Sequence, residues 1–268
     1  MPDAVRRLAR EDEPAIEHLI TADPVPNLFL IGFLAVHPVE RTWWYGAGDP
    51  VRAVVLVLPG RLAVPFALDP AEAEPLGAHL RHQHAPCLVV GPRAVTDTMW
   101  RRWATEPARR FYDQRLYELE IPPSGDDPPG FRLGKVTDAP RVAPQAAAME
   151  LEDLGVDPSR GDAVAHEAAV ADRLRCGRTW VIERGGQVVF QVNLGTTHAV
   201  GCQVGGTFVP PAHRGAGLAT AGVSATARAL LARYSRITLH VNEANTPAVR
   251  AYERAGFAAR DAFRLIVP

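Results

Sequence analysis

Ten residues near the middle of the chain, Ile121 to Gly130 (IPPSGDDPPG), cannot continue a helix or a central strand. Four prolines there lack a backbone donor, and two glycines loosen what remains. A chain of 268 residues broken at that point reads as two units, 1–120 and 131–268, joined by a linker over 121–130. Charge also changes across the break. Residues 1–130 hold 13 basic and 18 acidic side chains, net −5; residues 131–268 hold 16 and 12, net +4. The second unit is therefore the better host for an anionic ligand. The net charge of −1 creates no basic field, so a nucleic-acid partner is not expected.

Cys87, Cys176 and Cys202 are odd in number and lack metal-ligand spacing, which argues against a disulfide framework or a zinc site. His79, His82 and His84 cluster without a Cys or acidic partner at useful spacing, and read as solvated surface. The basic side chains are 28 Arg and one Lys, Lys135, which reads as codon bias. The opening residues MPDAVRRLAREDE hold no apolar core followed by a cleavage site. The longest apolar stretch, Pro26 to Val36, is too short to cross a bilayer and reads as a buried helix. The expectation is a cytoplasmic protein with no membrane partner and no metal.

The first unit reads as mixed α/β. Helices are expected over Asp12–Leu19, Asn27–Leu34, Pro70–Gln83 and Val95–Thr105, and strands over Val51–Pro59, Cys87–Val90 and Arg115–Ile121. Trp43, Trp44 and Tyr45 form an aromatic cluster that reads as core or interface. The second unit is more regular. Its apolar periodicities give the order βααβββαβαβ, a mixed sheet with helices on both faces. Gly185-Gly186 marks a hairpin, and a long helix is expected over Ala216–Arg233.

The segment QVGGTFVPPAHRGAGLA, Gln203 to Ala219, carries the clearest chemistry. A strand ends in Pro210-Pro211, a short loop brings Arg214, Gly215 and Gly217, and a helix follows at once. The first N–H groups of a helix lack intrahelical partners and sit at its positive end. Glycines leave that backbone bare, so the turn can cradle a phosphate or diphosphate, and Arg214 can add its guanidinium. The turn is neither a Walker loop nor a Rossmann fingerprint.

Arg214, Gly217 and Ala219, read as R-x-x-G-x-A, resemble the pyrophosphate motif of the GNAT superfamily of acyl-CoA-dependent N-acyltransferases. About thirty residues on, NEANTPAVRAYERAGF is similar to that family's second signature, with Asn245, Tyr252, Gly256 and Phe257 in the family's order. The resemblance covers residues 131–268 and implies a mixed, mostly antiparallel sheet flanked by helices. It implies that two strands splay after a bulge to admit acetyl-CoA as acyl donor. Phe208 and Val209 would hold the pantetheine arm, and Arg214, Gly215, Ala216, Gly217, Leu218 and Ala219 the diphosphate, with Asn245 and Tyr252 completing the site. It further implies direct attack by an amine, with no acyl-enzyme and Tyr252 as the acid. Glu150 is narrowly preferred as base over Glu152 and Asp153 on the same helix; Gln203, His198 and Glu243 rank below. Where the family often has an aromatic before the motif, this chain has His213.

The acceptor would be a small-molecule or peptide amine. A non-catalytic acyl-CoA sensor using the same cradle is the competing expectation. The first unit has neither motif; its element order allows a diverged copy of the fold, giving a monomer with pseudo-dimeric domains, and a homodimer is the other possibility. Acyl-CoA binding is not expected in that unit.

Overall fold

Strand order, rather than strand content, sets this molecule apart from two separate units. The structure is a computed structural model that describes residues 5–268; the first four residues of the segment read for a leader lie outside the described residues. In the first half the elements are β1 (Val5–Arg7), α1 (Glu13–Thr21), α2 (Leu28–Leu34), β2 (Trp43–Ala47), β3 (Ala53–Leu58), β4 (Leu62–Ala67), α3 (Glu74–Leu80), β5 (Leu88–Pro92), α4 (Arg93–Trp103) and β6 (Arg110–Leu119). The second half adds β7 (Phe131–Leu133), α5 (Ala139–Leu154), α6 (Ala163–Arg175), β8 (Thr179–Arg184), β9 (Gln187–His198), β10 (Gly201–Phe208), α7 (Leu218–Leu231), β11 (Ile237–Asn242), α8 (Thr246–Arg254) and β12 (Ala258–Val267). All the described strands join one twelve-stranded sheet in the order β1-β2-β3-β4-β5-β12-β6-β11-β10-β9-β8-β7. Only β4–β5 and β10–β11 run parallel; every other pair is antiparallel.

The final strands of the two halves are exchanged. β12 lies against β5 of the first half, while β6 lies against β11 of the second, and β6 and β12 pair along their lengths from Ala258↔Glu118 to Val267↔Arg110. The last strand in chain order, Ala258–Val267, belongs to the seam. Residues 121–130 hold no helix or strand and lead from β6 to β7.

Each half follows one plan. A short strand, a 3₁₀ turn and a helix lead into antiparallel strands, and a parallel strand follows across a helix. Apolar residues line both faces of the sheet. In the second half, β8 to β11 bury Ile182, Phe190, Val204 and Leu239 under α7 and α8. The opposite face packs Val181 and Val188 under α5 and α6. Gly222 lets α7 settle on β9, since a Cβ there would stand 2.5 Å from the Phe190 ring. The first half repeats this with α3 and α4 on one face and α1 and α2 on the other. Trp44 and Tyr45 of β2 are core residues, whereas Trp43 is partly exposed with the His84 ring against it. His84 also bonds the Tyr45 hydroxyl at 2.8 Å.

The first half reaches into the second. Helix α2 packs on β9, where a Cβ at Gly32 would collide with the Thr196 side chain. Arg93, at the start of α4, donates to Glu243 at 3.1 Å, and Arg260 on β12 donates to Asp23 at 2.9 Å.

Candidate active site

The parallel strands β10 and β11 meet at only two positions, Cys202↔Ile237 and Gln203↔Thr238. Beyond Gln203, β10 pairs only with β9, through register shifts at 202–204 and 205–208, while β11 pairs only with β6. The two strands therefore diverge toward their carboxyl ends, and backbone groups of Val204–Phe208 face a gap instead of a neighbour. Such a gap can receive an extended ligand as an added strand.

Directly after the gap comes the turn singled out in the sequence. Val209-Pro210 leads into a 3₁₀ turn, Pro211–His213, and α7 begins at Leu218. Gly217 caps the helix at φ +72°, and Gly215 sits at φ +82°. No side chain caps this helix. Among the described residues no protein group accepts from the N–H groups of Gly215 to Thr220. A Cβ at either glycine would meet nothing within 4 Å. Bare amides, a positive helix end and open space in front of them suit a diphosphate.

The equivalent place in the first half is closed. Strands β4 and β5 also pair only twice, at Leu62↔Leu88 and Ala63↔Val89. There, however, Asp69 accepts the Ala71 N–H at 2.9 Å, so an anionic side chain already occupies the turn. A Cβ at Gly91 would stand 2.9 Å from Thr96 Oγ1 and 3.0 Å from the Pro65 carbonyl, so α4 and β4 fill the opening.

The Arg214 guanidinium is engaged within the protein. Its Nε donates to the Val209 carbonyl at 3.0 Å and its Nη2 to both oxygens of Glu152 at 3.0 and 2.8 Å. The guanidinium lies 5.5 Å from the centre of the Phe208 ring. Asn245 accepts the Ala248 N–H at 3.2 Å, the cap that starts α8 and aims Tyr252 back at the sheet.

Tyr252 is buried on α8, edge-on to Phe257 with ring centres 6.0 Å apart. Burial pushes its phenol above the ordinary tyrosine range; the nearby Thr207 hydroxyl on β10 pulls the other way, and the charge of Asp153 adds to the rise. The Thr207 hydroxyl itself is buried without a hydrogen bond. Tyr252 on α8 thus feels both Thr207 of β10 and the charge of Asp153 on α5.

The carboxylates of α5 cluster in its last turn, which Gly155 ends at φ +72° and which contains no basic residue. Acid at the negative end of a helix is electrostatically costly. Glu152 is taken by Arg214. Desolvation raises the Asp153 carboxyl from its ordinary value, with repulsion from Glu152 adding to it, on a residue that is otherwise exposed. Glu150 lies in the field of the Arg173 guanidinium on α6.

Glu243 sits between two guanidiniums, Arg93 at 3.1 Å and Arg115 at 2.8 Å, which commits it to the seam. His198 closes its own turn by accepting the Val200 N–H at 3.3 Å. Gln203 donates to His240 Nδ1 at 3.0 Å, on the sheet face opposite Leu239. His240 was not singled out in the sequence. Burial pulls it down to about 4, and its Nε2 is buried without a partner. The signal was its place two residues from Thr238 in ITLHVN, on the face that Gln203 shares.

Beside β10, an open cavity of about 580 Å³ lies between α5, α6 and β9, with Gly205 and Gly206 along one wall. No group of three or more His, Cys, Asp or Glu among the described residues is arranged to hold a metal. No helix among them is long and apolar enough to cross a membrane.

A splayed parallel pair leading into an uncapped, glycine-bared helix start is the centre of the second half. Residues 148–257 match the model of the acetyltransferase (GNAT) family. That match lies within the second half and spans the turn at Arg214 and the helix that carries Tyr252. Among solved structures, it is similar to an acetyltransferase of the GNAT family from Colwellia psychrerythraea (TM-score 0.63, 10% identity, 99% of this chain and 100% of that one). It is also similar to a GCN5-related N-acetyltransferase from Sphaerobacter thermophilus (0.64, 18%, 98% and 94%). A third is a tandem GNAT protein from the clavulanic acid biosynthesis pathway (0.59, 14%, 98% and 97%). These likenesses show the fold. No curated protein sequence matches the chain.

Proposed function

We propose that the protein transfers an acetyl group from acetyl-CoA to a primary amine in a ternary complex, using the single site between β10, β11 and α7. The observation that carries this reading is the run of bare amides from Gly215 to Thr220 directly below the gap between the strands. Backbone at Phe208 and Val209 would align the pantetheine arm, and the amides of Arg214 to Ala219 would take the diphosphate. On this reading 131–268 is the transferase unit. The first half, whose turn is filled by Asp69, serves as a wall, with α2 packed on β9.

The reaction forms a bond between amine nitrogen and acyl carbon while the carbon–sulfur bond breaks. The amine gives up a proton, and the thiolate leaves. Glu150 and Asp153 share the first task. They lie three apart on one helix face, so Glu150 can hold the ammonium while Asp153, whose carboxyl is raised from its ordinary value, takes its proton through water. Tyr252 serves the second. A free thiol has a pKa near 8.5, about 1.5 below a free phenol, and burial widens that gap. The phenol therefore stays protonated and stabilises the leaving thiolate by a hydrogen bond more than by surrendering its proton.

Acetyl-CoA titration followed by thiol-release assays over an amine panel tests the reading. Binding with turnover supports it. Tight binding with no turnover on any amine marks a sensor instead.

A further inference from the structure

The cavity beside β10 has an uneven charge lining. Arg173 and Arg178 border it, with Asn193, Met149, Gly205 and Gly206 around them. Neither guanidinium has a hydrogen bond or ion pair among the described residues. In the same half Arg132, Arg141, Arg175, Arg214, Arg228 and Arg236 are ion-paired. Among the described residues Arg184, Arg233, Arg250 and Arg254 are not, but they do not border the cavity. Asp172, the acidic residue on the cavity wall, is paired with Arg175 on the same helix.

Arg173 is only partly exposed, and burial lowers its pKa from the ordinary value. A guanidinium that has lost water and gained no partner is costly unless an anion completes it. Asn193 adds a donor. Its Oδ1 accepts the buried Thr179 hydroxyl at 2.7 Å, which leaves its amide NH₂ on the side of Gly206. The Arg178 backbone is fixed by the Leu194 N–H donating to its carbonyl at 2.8 Å. The donors thus come from α6, from the exposed residue that leads into β8, and from β9.

Opposite charge is close by. Glu150, one residue from the cavity-lining Met149, acts on Arg173 electrostatically, and Asp153 follows one turn later. The site thereby offers a cationic pole and an anionic pole side by side.

We infer that the acceptor is a small amine that also carries a carboxylate, of the amino-acid class, anchored by Arg173 and Arg178 with its amine turned toward Glu150 and Asp153. This rests on the transferase reading above and adds the substrate class to it. A neutral or polycationic amine would leave both guanidiniums unpaired, so the pole selects against them as well as for the carboxylate.

The experiment uses the full chain, acetyl-CoA, the standard amino acids and the matching amino-acid amides, with released thiol as readout. At least one free acid is expected to be acetylated, with kcat/KM about tenfold to a hundredfold above its own amide, the range a charged hydrogen-bonded contact provides. R173Q and R178Q should each shrink that ratio toward one, through KM for the amine, with acetyl-CoA affinity by calorimetry unchanged. The acid-to-amide comparison in the unaltered protein stands if either variant fails to fold. Equal turnover of acids and amides, preference for polycationic amines, a ratio that survives both folded variants, or acetyl-CoA binding with no acid turned over would each overturn the inference. Absence of acetyl-CoA binding would instead bring down the transferase reading, and this inference with it.

Discussion

Arg214 and Glu152 join the diphosphate turn to the end of α5 through two hydrogen bonds of 3.0 and 2.8 Å. The side chain expected to embrace the diphosphate is thus shared with a carboxylate that would repel it. Both groups are about half exposed, so the pair itself is worth at most about 1 kcal/mol. E152A should free the guanidinium and remove a negative charge, tightening acetyl-CoA by up to about fivefold. Isothermal titration at low and high salt checks this, and weaker binding in E152A would contradict it.

Tyr252 is argued to act on the leaving thiolate and not on affinity. Y252F should keep the acetyl-CoA dissociation constant within about twofold and lower kcat by about a hundredfold. Equal losses in affinity and kcat would mark the ring as packing against Phe257 and nothing more.

The proton acceptor can be read from a pH profile. Asp153 is raised from its ordinary carboxylate value, so the acidic limb of kcat/KM should be shifted upward in the same direction. D153N should abolish that limb and cost about a hundredfold in rate, while E150Q should act mainly through KM for the amine. If E150Q removes the limb instead, the two carboxylates exchange roles.

Two buried groups should make stability fall with acidity in separate windows. His240 is held down at about 4, below its unfolded value near 6.5. The unfolded chain therefore binds the proton first, and up to about 3 kcal/mol is lost as pH falls from 6.5 to 4. Asp138, bonded by Arg132 and Arg141, is lowered to about 2. Its contribution, about 2 kcal/mol, is present above the unfolded value near 3.9 and disappears as pH falls toward 2. Chemical denaturation from pH 7 to 4 should show the first loss, and H240N should flatten it.

What the residues disclosed and what they hid follow from the range of the interactions. The turn after Pro211, the cap at Asn245 and the helix that carries Tyr252 depend on neighbours in sequence, and these elements were legible. The exchange of β6 and β12 was not, because alternation along Phe263–Val267 says which face is buried and not which strand lies alongside. Strands β2 and β4 were missed because WWYGA and LAVPFA are buried on both faces or carry a proline, and so lack clean alternation. The Arg214–Glu152 pair joins residues that no local pattern connects. One long-range repeat was present in plain view. Arg6 holds Asp12, which accepts the Ala9 N–H, just as Arg132 holds Asp138, which accepts the Lys135 N–H. Both read Arg, five residues, Asp, one residue, Pro, at 6–14 and 132–140.

Calorimetric titration of acetyl-CoA into the unaltered chain and into G217V goes most directly to the central claim. The account predicts one micromolar site per chain, lost in G217V because a branched side chain both resists φ +72° and stands before the bare amides, while the folded state persists by circular dichroism. No heat at near-millimolar protein, two sites per chain, or unchanged binding in G217V would contradict it.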